Sequence, residues 1–127
     1  MSEKCQTKEV FMDTSILNNI KKLLGLSEDY EAFDMDIIIL IKTAFSLLHQ
    51  LGVGPEEGFR IEDASATWSD FDGDPAILEM AKTYVYLKVR VVFDPPTGGV
   101  LDAMNKLIQE YEWRLNVEVD PKQEGGE

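Results

Sequence analysis

Apolar residues recur at helical spacing in four stretches of the chain. In the first, Ile16, Leu17, Ile20, Leu23 and Leu24 fall on one face, and Asp13, Thr14 or Ser15 can cap the start. Gly25 stands where a helix-ending glycine belongs, and Lys21 and Lys22 suit the negative end of the helix dipole. The second stretch begins near Asp34 or Asp36 and runs to about Gln50. Its apolar residues, Ile37 to Ile41 and then Ala44, Phe45, Leu47 and Leu48, circle most of the first two turns. A helix apolar on every side is buried centrally, or covered in part by another subunit. The β-branched run would also suit a strand, but its extension through Leu48 favours a helix. Gly52 and Gly54-Pro55 stop it.

The third stretch opens with Asp74 as a cap and Pro75 at the first helical position. Ile77, Leu78, Ala81, Tyr84, Val85, Val89 and Val92 form one stripe; Met80, Leu87 and Val91 form another. From Tyr84 to Phe93 the same residues alternate, which read alone is a strand. The capped start, and the lack of a turn signal between Ile77 and Phe93, tip the choice to a helix. Asp94-Pro95-Pro96 ends it, because a residue before proline avoids the helical region. Thr97 can cap the fourth stretch, in which Val100, Leu101, Met104, Leu107, Ile108, Tyr111 and Leu115 keep one stripe over roughly four turns. Trp113 and Arg114 lie beside that stripe, and the helix is expected to fray over residues 116–120.

These elements predict an all-α fold: a small helical bundle of about four main helices, with a long irregular loop between helices two and three. Within that loop, Phe59 to Ile61 fits a short strand or extended arm. Thr67-Trp68-Ser69-Asp70-Phe71 sets two large aromatics among polar neighbours. A connection of this length has a task or lacks order. Its aromatics either anchor the loop on the chain's own core or meet a partner. Residues 1–12 read as a flexible arm carrying Val10, Phe11 and Met12, residues 13–119 as a single helical domain, and residues 120–127 as a disordered acidic tail. No internal repeat and no sustained heptad is present.

Composition narrows the partners. The 127 residues suit one domain, and a hydrophobic share of 44% suits a folded one. Asp and Glu number 24 against 12 Lys and Arg, a net charge of -12 that repels phosphate backbones and anionic lipid. A single cysteine, Cys5, forms no internal disulfide, and there is no leader of signal-peptide type. The longest apolar run, Ile37 to Ile41, is far short of a membrane span. The protein therefore reads as soluble and intracellular where it is made.

Reaction chemistry finds little to stand on. No glycine-rich phosphate loop precedes a helix. The one His and the one Cys are 44 residues apart, and His49 at the end of helix two reads as a cap or surface residue. Asp70-Phe71-Asp72-Gly73-Asp74 has some flavour of a calcium loop, but lacks the full spacing and the closing Glu; a turn leading into the Asp74 cap fits it better. The expectation is a binding or structural protein, not an enzyme, with no cofactor and no metal.

Five pieces of the chain, taken in order, carry a resemblance. They are Leu23-Leu24-Gly25, Gln50-Leu51-Gly52-Val53-Gly54, Thr67 to Phe71, Lys82-Thr83-Tyr84 through Phe93-Asp94-Pro95-Pro96, and Glu112-Trp113-Arg114-Leu115-Asn116-Val117. Over about residues 14–119 the chain resembles the small head–tail connector, or adaptor, proteins of long-tailed bacteriophages and prophages. The resemblance implies a mostly helical structural subunit without catalytic residues, and a helix over residues 84–93. It implies a ring homo-oligomer of about twelve-fold kind beneath the portal protein, extending the DNA channel and docking the next connector or tail protein. DNA would pass through without being specifically bound, and no membrane would be involved. The protein would reside in the virion, after assembly in the bacterial host cytoplasm. Helices two and three would form the core and much of the subunit contact. Trp68, Phe71, Tyr84, Tyr86, Arg90, Trp113 and Arg114 are the candidate interface residues. Two rivals stay open: a tail-completion or stopper protein of the virion, and an acidic adaptor or DNA mimic that binds a basic partner.

Overall fold

A computed structural model of the chain describes residues 15–125, with side chains as far as residue 118. The expectations for the arm 1–12, for Cys5 and for the side chains of the acidic tail lie outside those bounds. Five helices follow one another: α1 (Ile16–Leu23), α2 (Asp34–Gln50), the one-turn α3 (Trp68–Phe71), α4 (Pro75–Phe93) and α5 (Gly98–Gly125). Among the described residues there is no strand, only an isolated antiparallel bridge between Ser15 and Thr67. The four long helices are those expected, and of the two forms open to Phe59 to Ile61 the short strand is not formed.

Local chemistry sets the helix ends. Ser15 caps α1, its Oγ accepting from the Asn18 N–H at 3.2 Å. The Asp74 carboxylate caps α4, accepting from the Ala76 N–H at 3.0 Å, with Pro75 in the first turn. α1 and α2 end in the same motif. After α1, Gly25 and Leu26 donate back to Lys22 and Lys21; after α2, Gly52 and Val53 donate back to His49 and Leu48. At the far end, the helical backbone of α5 continues to Gly125, beyond the fraying expected over 116–120. Lys, Gln and Glu after Pro121 are good helix formers, so the proline removes one backbone bond without ending the helix.

The core explains the ambiguous segment. α2 packs on α4, α4 packs on α5, and α1 packs on α2. A helix between two neighbours needs two apolar stripes, and α4 buries Ile77, Leu78, Ala81, Tyr84, Val85, Leu87 and Val89. Two stripes on one helix produce the alternation that imitates a strand. α1 contributes Ile16, Leu17 and Ile20, α2 contributes Ile37, Ile41, Ala44, Phe45 and Leu48, and α5 contributes Ile108 and Leu115. Asn116 of α5 donates to the Leu51 carbonyl at the end of α2 (3.2 Å), tying the last helix to the second.

Lys21 is a surprise of the interior. The sequence reading sets it at the dipole end of α1, yet its side chain is only 1% exposed. Its ammonium donates to the Glu28 carbonyl at 2.9 Å and lies 2.8 Å from Asp34 Oδ1, at the start of α2. No aligned hydrogen bond reaches that carboxylate oxygen, so the contact is an ion pair held by charge. It clamps the connection between α1 and α2 at both ends.

Candidate interaction surfaces

The irregular loop is closed onto the core by aromatic packing. Trp68 is fully buried, and its indole N–H donates to Asn19 Oδ1 on α1 at 3.1 Å. Phe45 of α2 meets Phe59, Trp68 and Phe71 with ring centroids 5.0, 6.1 and 4.8 Å away, and Phe59 meets Phe71 at 5.3 Å. Gly54 lets the chain pass close to this cluster. A Cβ there would stand 2.5 Å from the Phe71 ring, and the backbone has φ +95. Lys82 lies 6.0 Å from the centroid of the Trp68 ring. Of the two roles open to Trp68 and Phe71, the structure gives them that of anchors, and their burial leaves no surface for a neighbour.

The acidic run after the cluster serves the backbone. Asp70 accepts from the Thr67 N–H (2.9 Å), Asp72 accepts from the Asp74 N–H (2.8 Å), and Asp74 caps α4. The run therefore works as a turn and a cap. His49 Nε2 donates to the Glu56 carbonyl at 2.8 Å, holding the start of the loop against the end of α2. Among the described residues no group of His, Cys, Asp and Glu is placed to hold a metal ion.

The other candidates divide into inner and outer groups. Tyr84 is buried between α4 and α5, with its hydroxyl donating to Glu112 at 2.8 Å. Burial, then the bond to Glu112 and its negative charge, push the phenol well above its usual range. Tyr86 and Arg90 are partly exposed neighbours on α4. The Arg90 guanidinium donates to the Tyr86 hydroxyl and to the Asp94 carbonyl, each at 2.8 Å, so it ties off the end of the helix. Tyr86 also lines a shallow depression between α1 and α4, with Asn19, Leu23, Glu79, Lys82 and Thr83. Trp113 points outward from α5 and is 67% exposed, while Arg114 beside it pairs with Glu110 at 2.7 Å. The structure does not bring these seven residues together. Trp68 lies in the loop cluster, Tyr84 in the bundle interior, and Trp113 on the outer face of α5.

One open apolar surface was not among the sequence candidates. Tyr30, Phe33 and Phe93 form an edge-on row of rings, 5.8 and then 5.3 Å apart. Phe33, Asp36, Ile39, Leu40, Val92 and Phe93 line an open groove of about 360 Å³ between α2 and the end of α4. Ile39 is 56% exposed and Val92 63%. Met35, one turn before Ile39, is 76% exposed. Together these side chains leave an apolar patch open to solvent on a highly charged chain. The signal was visible as a helix apolar on every side, but its position depended on where α4 ends.

Among the described residues the chain is a helical bundle whose irregular loop is closed by its own side chains and whose α2–α4 groove is left open. A family model described as "Phage connector protein" matches residues 16–122, and the chain belongs to that family. Neither a curated protein nor a solved structure matches it. The chain is thus a connector-type structural protein of a phage, from a family that assembles with other virion proteins. Among the described residues no helix is long and apolar enough to cross a membrane.

Proposed function

We propose that this chain is the head–tail connector subunit of a tailed phage, assembling as a ring under the portal protein and presenting the surface on which the next connector or the tail docks. The single observation that carries this reading is the open apolar groove between α2 and α4, in a chain whose family is that of phage connectors. A monomer gains nothing from exposing Met35, Ile39 and Val92 to water, whereas a ring covers each subunit on two flanks. The net charge of -12 suits a wall past which DNA moves without adhering. Subunits complete in the host cytoplasm would then enter the virion.

A phage lacking the gene tests this directly. Filled heads and free tails should accumulate unjoined, and adding the purified protein should restore joining. Infective particles formed at normal yield without the gene would overturn the proposal. Joining that fails at the tail end, while the portal already carries a connector, would point instead to a stopper.

A further inference from the structure

We propose that the groove between α2 and α4 receives a segment of another virion protein, in which an apolar anchor is flanked by Lys or Arg. This deepens the docking half of the reading above and rests on it. The groove offers about 360 Å³, with Phe33, Ile39, Leu40, Val92 and Phe93 as its apolar wall. An open apolar groove between two helices suits the apolar side chains of a helix or strap laid across it. In a ring the groove recurs once per subunit, so a docking partner meets a circle of such sites.

Charge decides what kind of segment fits. Residues 28–36, which lead into the groove, hold five acidic residues and no basic one. Asp34 is paired with Lys21, and Asp34 and Asp36 also suit the positive end of α2. Glu28, Asp29 and Glu31 come before that helix and are exposed, so the helix start does not account for them. From α4, Lys88 stands one turn before Val92, and Arg90 is tied to Asp94. The surround thus carries six acidic residues against three basic ones, Lys21, Lys88 and Arg90.

The rings add to the same preference. Tyr30 and Phe33 are exposed among these acids, and aromatic faces attract Arg and Lys. A second copy of this chain answers that demand poorly. Its exposed Trp113 lies on a stretch of α5 where Lys106 and Arg114 are outnumbered by Glu110, Glu112 and Glu118. DNA and anionic lipid are repelled by the same rim. A basic segment with an apolar anchor meets both needs: the anchor fills the groove, and its cations face the acids and the rings.

Photo-crosslinking in assembled phage particles tests the assignment. Benzoylphenylalanine replaces Val92, or Met35 in a second variant; both positions are exposed, and circular dichroism checks that each variant stays folded. After irradiation, mass spectrometry should find both positions linked to one segment of another virion protein. Within about seven residues on either side of the link, roughly two helical turns, Lys and Arg should outnumber Asp and Glu. That segment, made as a peptide, should bind the purified full chain and bind less well as salt is raised. Glu31→Lys combined with Asp36→Lys should weaken this binding about tenfold. A link to another copy of this chain, a link to a neutral or acidic segment, no link at all, or equal binding by the charge-reversed chain overturns the assignment and leaves the connector reading standing. Particles that do not contain the wild-type chain overturn both.

Discussion

Around Trp68, rings from α2, the irregular loop and α3 close on one another, a glycine makes room, and an asparagine on α1 accepts a hydrogen bond from the indole N–H. Around Trp113 there is a helix face and solvent. The same residue type closes a fold in one place and leaves it open in the other. The first region contributes stability to the isolated chain; the second contributes little to it and is available to a partner. The groove of Phe33, Ile39 and Val92 belongs with Trp113 in this contrast, being apolar and uncovered.

Substitutions can break the contrast or sharpen it. Trp68→Ala should have the largest effect, about 3–5 kcal/mol of stability, read as a lowered denaturation midpoint. Lys21→Ala should follow at about 2–3 kcal/mol, because Asp34 loses its partner while keeping some contact with water. Gly54→Ala should cost about 1–3 kcal/mol in thermal unfolding, through backbone strain and the clash with Phe71. Tyr84→Phe should cost about 1 kcal/mol at neutral pH, by loss of the bond to Glu112. Trp113→Ala should shift monomer stability by no more than about 0.5 kcal/mol while weakening association.

Tyr84 also gives a pH signature. Its phenol is raised in the folded chain, so above the unfolded value of about 10 the unfolded state loses a proton that the folded state keeps. The unfolded state then binds fewer protons, and stability falls as pH rises. Below that value the contribution is constant. Tyr84→Phe should make the alkaline loss of stability shallower in urea titrations; an identical slope would show that the folded phenol is not shifted.

Legibility in the sequence followed range. Asp74-Pro75, Gly25 and Gly52 act on backbone a few residues away, and each marked its helix end correctly; for the first helix, Ser15 is the one of three candidate caps that serves. Residues 84–93 could be read two ways, because the second stripe on α4 exists to meet α5 and the pattern carries no sign of that neighbour. The burial of Trp68 depends on Asn19, 49 residues earlier, and no local spacing predicts it. The inward turn of Lys21 depends likewise on Glu28 and Asp34 folding back over it. Trp113 and Arg114 were set beside the apolar stripe, and that was enough to find an outward position. The groove required both the apolar circuit of α2 and the place where Asp94-Pro95-Pro96 stops α4, and only the packed bundle joins the two.

The most direct test of the connector assignment is the mass of the wild-type protein in solution, alone and mixed with its portal ring. A closed multimer, formed alone at high concentration or on addition of portal, is the predicted result. A strict monomer under both conditions, with no mass added to the portal, would contradict it.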